Sequence, residues 1–219
     1  MFEKCVIFDL DGTLIDSSAG VVAATNYALE QLGEKLRSHD EITAYIGFPL
    51  REMFTAFTTA PFEELRQHFQ DHGKDAIVAA TRPLPHADRV LRELCAAGYR
   101  LAIATTKIQV HIGPILDKCG WAELFETTVG GDEVASVKPA PDAFQLALDR
   151  LQSDRHRSIV VGDTVNDVLA ARCAQLPVVA VTSPYGGIDR LQAAGATYFL
   201  ASLQELPELL RAHFEGDNA

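Results

Sequence analysis

The sequence predicts an α/β fold: a doubly wound, mostly parallel sheet with an all-helical domain inserted near its start. Three observations lead there. Short apolar runs rich in β-branched residues recur along the chain, separated by helical patterns of ordinary length, the alternation that parallel sheets require. The first run, Cys5-Val6-Ile7-Phe8, is followed by a stretch, residues 17–81, in which every apolar periodicity is helical. And 219 residues, 47% of them hydrophobic and 22% charged, suffice for one globular core carrying such an insert.

The first strand runs into Asp9-Leu10-Asp11-Gly12-Thr13-Leu14-Ile15-Asp16. Ser17 or Ser18 can cap a helix whose apolar face is Val21, Val22, Thr25, Ala28, Leu29 and Leu32, stopped by Gly33. Asp40 can cap a short helix ended by Gly47. Pro49 and Pro61 can open two more, the second with Phe62, Leu65 and Phe69 on one side. Arg82-Pro83-Leu84-Pro85 then reads as the linker back to the core. The chain thus divides into an α/β core, 1–16 and 82–219, and a helical insert, 17–81.

Beyond the linker come a helix over 87–97, with Val90, Leu91 and Leu94 inward, and a strand over 100–105. Pro114 should kink or shorten the helix expected from about 109 to 119. A short strand near 127–129 leads to Gly130-Gly131-Asp132-Glu133, and Pro141 starts a helix with Phe144, Leu148 and Leu151 inside. Strand 158–161, helix 167–175, strand 178–181, helix 188–194, strand 198–200 and a helix near 203–214 follow, with 215–219 as a frayed tail. The repeated βαβ unit makes the core Rossmann-like.

A formal charge of −11 speaks against a phosphate-backbone binder, so no nucleic-acid partner is expected. A small phosphorylated partner stays open, because local cations and a metal can reverse the field at a site. No apolar run approaches the ~20 residues of a membrane span, and no basic segment with a signal-type core opens the chain. No membrane is expected, and the expected location is cytoplasmic. Cys5, Cys95, Cys119 and Cys173 lie far apart without a C-x-x-C pair and read as free thiols. The seven histidines are scattered; His86, in the linker region, is the one worth watching.

The chemistry gathers at strand ends. Asp9 and Asp11 stand beyond the carboxyl end of the first strand, where open α/β sheets bind ligands. A strand entering an Asp-Gly turn would account for D-x-D-G alone. Two carboxylates so placed can also divide labour, one attacking phosphorus and the other moving protons. Such a site needs hydroxyl and amide donors, a fixed cation and a divalent metal, because phosphoryl transfer is mainly positioning and charge neutralisation. Thr105 closes a strand and can offer its hydroxyl, with the Thr106 amide beside it, although strand-terminal threonines are often only structural. Lys138 precedes two stiffening prolines in Lys138-Pro139-Ala140-Pro141, with Lys107 as a rival cation. Gly162-Asp163-Thr164-Val165-Asn166-Asp167 supplies two carboxylates four apart, enough for Mg2+, which prefers hard oxygen ligands and keeps several waters. Asp167 can equally serve a helix N-terminus.

In this order and context, the four segments resemble the motifs of the haloacid dehalogenase-like superfamily, over nearly the whole chain. The resemblance implies a Mg2+-dependent phosphatase that hydrolyses a small phosphorylated metabolite through an aspartyl phosphate on Asp9, with Asp11 as general acid/base. It implies that Gly12, Thr105, Thr106 and Lys138 bind the phosphoryl group and that Asp9, Asp11 (by its carbonyl), Asp163 and Asp167 serve the metal. The insert is similar to the helical cap of the phosphoglycolate phosphatase-like branch, and Ile46-Gly47-Phe48-Pro49-Leu50 to its cap loop, which singles out Phe48, Arg51 and Arg82 as substrate contacts. Ala180-Val181-Thr182-Ser183-Pro184-Tyr185-Gly186 is similar to a late segment of that branch. Three positions depart from the pattern: Thr106 where asparagine is common, Ile108 where proline is, and His86 where glycine is. Dehalogenases of the superfamily lack the second aspartate. A sugar phosphomutase or a pyrophosphatase of the same superfamily shares these residues. A signalling receiver module also phosphorylates an aspartate near a threonine and a lysine, but has no helical insert after its first strand. Both monomer and homodimer fit.

Overall fold

Strand β1 (Cys5–Phe8) is buried along its whole length, yet its side chains still divide by the two-residue period of a strand. Val6 and Phe8 join the apolar cluster on one face of the sheet, Cys5 and Ile7 the cluster on the other. The computed structural model describes residues 3–183, 185 and 187–216. After β1 the chain forms the two-residue β2 (Ile15–Asp16), then four helices, α1 (Ser18–Gln31), α2 (His39–Thr43), α3 (Leu50–Phe57) and α4 (Phe62–Ala80), and returns through β3 (Arg82–Pro83).

The remainder alternates: α5 (Ala87–Ala96), β4 (Arg100–Ala104), α6 (Gln109–Cys119), β5 (Thr127–Val129), α7 (Asp142–Leu151), β6 (Ser158–Gly162), α8 (Val165–Cys173), β7 (Val178–Val181), α9 (Ile188–Ala194), β8 (Tyr198–Leu200) and α10 (Leu206–Gly216). The main sheet has the order β5-β4-β1-β6-β7-β8, all parallel. One face is covered by α5, α6 and α10, the other by α7, α8 and α9. This is the α/β fold expected, doubly wound about β1. No helix among the described residues is long and apolar enough to cross a membrane.

The linker expected at 82–85 is in part a strand. Ile15 pairs with Pro83 and Asp16 with Arg82 in an antiparallel ribbon, where a proline without N–H is tolerated because neither strand has a second neighbour. The buried face of α1 is only partly the one expected: Thr25 and Leu29 are inside, but the rest is shifted toward small residues. Gly20, Ala24 and Ala28 are buried while Val21 and Val22 are half-buried. A Cβ on Gly20 would lie 2.5 Å from the Ile77 Cα of α4, so small residues let the two helix axes approach.

Helix α2 is capped by Ser38, not Asp40: the Ser38 hydroxyl accepts from Glu41 N, and a Glu41 carboxylate oxygen accepts from Ser38 N at 2.8 Å. Helix α6 runs its full length through Pro114. The bond proline cannot make is to the carbonyl of Val110, and both residues face water, which satisfies that oxygen. Helix α8 begins two residues earlier than expected because Thr164 caps it. Glu215 and Gly216 belong to α10; the rest of the expected tail, 217–219, lies outside the described residues, as do Pro184 and Gly186 of the late segment. His86 adopts φ +68°, the left-handed region that favours glycine.

Candidate active site

Strands β4, β1 and β6 end side by side, and the residues that follow them are Thr105, Asp9 and Asp163. Here the winding that leads from β1 out through β4 and β5 crosses back to β6, so the connections diverge and open a crevice. Asp9 N donates to the Val161 carbonyl at 2.8 Å, which extends the ladder by one residue and fixes the Asp9 carboxylate at the rim.

Asp9, Asp163 and Asp167 are all buried, with carboxylate oxygens within 4.8 Å of one another. Burial pushes Asp9 from its ordinary 3.8 up to about 7; the Lys138 charge opposes this and the Asp167 charge adds to it. Asp163 is likewise pushed well up, first by burial and then by Asp9 and Asp167. Lys138 Nζ donates to Asp9 Oδ1 and to Asp167 Oδ1, each at 2.6 Å, and the side chain is 2% exposed. Burial alone would lower its pKa, but the two carboxylates outweigh it and hold the ammonium charged.

Asp167 does two jobs with two oxygens. While Oδ1 holds Lys138, Oδ2 accepts from Thr164 N at 3.0 Å and Thr164 Oγ1 at 2.6 Å, closing the capping box of α8. Asp163 Oδ1 accepts from Thr13 Oγ1 at 2.8 Å. Its Oδ2 is buried without a hydrogen-bond partner. Gly12, at φ +88°, passes so close that a Cβ there would collide with this oxygen.

Asp11 has a separate set of partners. Lys107 Nζ lies 3.0 Å from Oδ2, and Ser17 Oγ donates to Oδ1 at 2.5 Å. Lys107 is therefore no rival of Lys138 but the partner of the other carboxylate, and Ser17 serves Asp11 rather than capping α1. Thr105 Oγ1 accepts from Lys107 N at 3.2 Å, tying the strand end to the turn that carries this lysine. The Gly130-Gly131 pair, without an assigned role in the sequence, backs that turn. Gly131 N donates to the Lys107 carbonyl at 2.9 Å, and a Cβ there would meet Thr106 O at 2.5 Å.

The helical insert closes over this crevice. Asn166 Nδ2 donates to the Gly47 carbonyl at 3.3 Å, and a Cβ on Gly47 would lie 2.7 Å from Thr164 Cγ2. Between insert and core lies a cavity of about 100 Å³, reached by Asp11, Thr106 and Lys107 from below and by Tyr45, Phe48 and Met53 from above. Phe48 lines this cavity. Arg51 does not: it pairs with Glu63 at 3.2 Å and stacks on Phe62 at 3.9 Å, because α3 turns Met53 and Phe54 inward and Arg51 toward α4. Arg82 is exposed on β3, and His86 is exposed at the start of α5.

The residue that sequence reasoning missed is His111. It lines the cavity, is 2% exposed, and has an Nε2 without a hydrogen-bond partner. Burial first, then the Lys107 charge, lower its pKa to about 4, so the ring is neutral. Its signal was there: His111 falls in register with Ile112, Ile115 and Leu116, on the apolar face of α6. Two more histidines, His68 and His72 on α4, are four residues apart and flank Tyr27, with His72 stacked on its ring at 4.4 Å.

The donor set suits a hard divalent cation. Four carboxylates (Asp9, Asp11, Asp163, Asp167) face two ammonium groups (Lys107, Lys138), and the partnerless Asp163 Oδ2 lies within the cluster. Asp9 and Asp163 bind protons more tightly folded than unfolded. Without metal, their contribution to stability is therefore present at low pH and lost as pH rises, for Asp9 from 3.8 through about 7 and for Asp163 at pH well above its ordinary 3.8. A cation on the same oxygens competes with those protons. The gain in Tm on adding Mg2+ should be larger at pH 8 than at pH 6, and Asp163→Ala should remove it; equal gains at both pH values would place the ion elsewhere.

Residues 6–181 match the family model described as haloacid dehalogenase-like hydrolase. A phosphoglycolate phosphatase from Agrobacterium fabrum is 33% identical over 85% of this chain and 83% of its own. The pyrophosphatase PpaX from Bacillus velezensis is 30% identical over 92% of this chain and 93% of its own. A haloacid dehalogenase-like hydrolase structure from Bacteroides fragilis superimposes with a TM-score of 0.88 at 29% identity, covering 93% of this chain and 99% of that one.

Proposed function

This chain belongs to the haloacid dehalogenase-like hydrolase family, and from there we propose that it is a Mg2+-dependent phosphatase that hydrolyses a small phosphomonoester through a phosphate carried on Asp9. The observation that carries this reading is the unequal partnering of two aspartates two residues apart. Asp9 is buried among carboxylates with Lys138, whereas Asp11 sits on Lys107 and Ser17 at the mouth of the cavity.

An Asp9 oxygen attacks phosphorus, and the ester P–O bond breaks. The leaving alkoxide takes its proton from Asp11. Asp11, now a carboxylate, takes a proton from water as that water attacks phosphorus, and the Asp9–phosphate bond breaks to release inorganic phosphate. Lys138, the Thr105 hydroxyl and the Thr106 amide neutralise and orient the transferring oxygens. The Gly12 N–H, expected from the sequence to join them, donates to the Ile15 carbonyl at 2.8 Å and serves the turn instead. Mg2+, when bound by Asp9, Asp163 and the Asp11 carbonyl, with Asp167 beside it, supplies the positive charge that lets an anionic nucleophile meet an anionic phosphate. Phosphate release from phosphoglycolate, sugar phosphates, nucleotides and pyrophosphate, with and without Mg2+, tests the reading. Full turnover after exhaustive chelation would refute the metal's part in it.

The helical insert acts as the cap that excludes water from the crevice, with its loop 46–50 seated on the loop that follows β6. Gly47→Val should keep that loop from seating, since the added atoms run into Thr164 and φ +86° is strained for valine. A misplacement of about 1 Å can cost ~10²-fold in rate, so kcat/KM should fall by about that factor. An unchanged kcat/KM would show that seating of this loop does not matter to turnover.

A further inference from the structure

We infer, resting on the phosphatase reading above, that the alcohol half of the substrate is uncharged and largely apolar, and that it carries one hydrogen-bonding group which meets His111. The cavity opens beside Asp11, the group that would protonate the leaving oxygen, so its occupant is the leaving alcohol. Its volume, about 100 Å³, is well beyond the ~10–15 Å³ that a single water needs. The wall above is apolar, formed by Tyr45, Phe48, Leu50, Met53 and Phe69.

The lysine of the lining and the arginines of the insert are already committed. Lys107, the one lysine in the lining, holds Asp11 at 3.0 Å. The arginines of the insert turn elsewhere: Arg37 donates to the Phe57 carbonyl at 2.5 Å, Arg51 pairs with Glu63, and Arg66 pairs with Glu63 at 2.8 Å. A carboxylate or a second phosphate on the alcohol would therefore be buried without a counter-charge, which is costly. This sets the chain apart from what the names of its relatives suggest, since glycolate carries a carboxylate and pyrophosphate a second phosphoryl group.

Among the polar groups of the lining, which include the Tyr45 and Thr106 hydroxyls and the Gln70 amide, one is buried and unpartnered. Gln70, in the lining, already accepts from Arg66 Nη1 at 2.9 Å. His111 Nε2 is buried without a partner, an arrangement that costs stability unless a ligand completes it. The ring is neutral, so it suits a neutral donor or acceptor rather than an anion.

The test compares kcat/KM for five compounds with Mg2+ present: benzyl phosphate, pyridin-3-ylmethyl phosphate, 3-hydroxybenzyl phosphate, 2-phosphoglycolate and pyrophosphate. Benzyl phosphate should exceed the two anionic compounds by at least about tenfold. At least one of the two substituted esters, the hydroxybenzyl ester alone if Nε2 accepts and both if Nε2 donates, should exceed benzyl phosphate by about tenfold, the worth of a hydrogen bond in a buried site. That second advantage should appear in KM and vanish in His111→Phe. His111→Gln, which keeps a hydrogen-bonding amide, should retain most of it, and His111→Ala, which removes the group without overpacking, stands in for phenylalanine if that residue crowds the helix. Preference for 2-phosphoglycolate or pyrophosphate would overturn the substrate class while leaving the phosphatase reading intact. An advantage that survives in His111→Phe or His111→Ala would overturn the role of His111. No phosphate from any compound would overturn both.

Discussion

Asp9→Asn should abolish turnover, whereas Asp11→Asn should slow it by ~10²–10⁴-fold, the usual worth of general acid–base help. The difference follows from what each carboxylate touches. Asp9 is held by Lys138 among buried carboxylates, and an amide in its place has no oxygen that can attack phosphorus. Asp11→Asn keeps the nucleophile and its own backbone carbonyl but loses the group that carries the proton. An ester with a good leaving group needs little protonation, so for it the first step should survive better than the second. Acid-quenched with such an ester, Asp11→Asn should hold a hydroxylamine-labile phosphate on Asp9 for longer than the unaltered protein. Phosphate found on a serine or histidine, or an active Asp9→Asn protein, would overturn the mechanism.

Lys138→Met should be the most destabilising single change at the site. The lysine is 2% exposed and bridges two buried carboxylates; removing one partner from a buried ion pair costs about 3–5 kcal/mol, because the other charge is left uncompensated. The deficit should depend on pH in a definite direction. Lys138 pulls the pKa of Asp9 down from where burial alone would put it, so without the lysine Asp9 takes up a proton at still higher pH. Protonation then relieves the uncompensated charge, and the deficit should shrink as pH falls from 8 toward 5. Urea unfolding of the chelated protein at the two pH values measures this. A deficit that is small and flat with pH would mean that Lys138 is not what balances these carboxylates.

The sheet and the candidate residues at its rim were legible in the sequence for one reason. Each of Asp9, Thr105 and Asp163 follows directly on a buried strand, and apolar runs of four or five residues mark strand ends sharply. What was not legible depends on side-chain direction and volume. Hydrophobicity favoured Val21 and Val22 as the inner face of α1, whereas close approach to α4 selects Gly20 and Ala24. An arginine beside the loop 46–50 suggested a substrate contact, but one position along a helix turns a side chain by about 100°, enough to send Arg51 to Phe62. Lys107 and Lys138 could not be assigned to their carboxylates from spacing, because the pairs are formed by loops far apart in sequence. Ser17 was read as a helix cap, since no local pattern distinguishes a serine that caps from one that bonds Asp11.

The ribbon of β2 and β3 sets Ile15 opposite Pro83 and Asp16 opposite Arg82, so the chain leaves the sheet and comes back to it through neighbouring positions. Seen from the sheet, everything between is the tip of a hairpin. Elements whose two ends lie together can be exchanged, enlarged or trimmed without moving the residues on either side. A lineage carrying this chain can thus revise which molecule is admitted while the machinery that cleaves it stays in register. With the insert acting as the cap proposed above, what the site admits and how it cleaves can change independently.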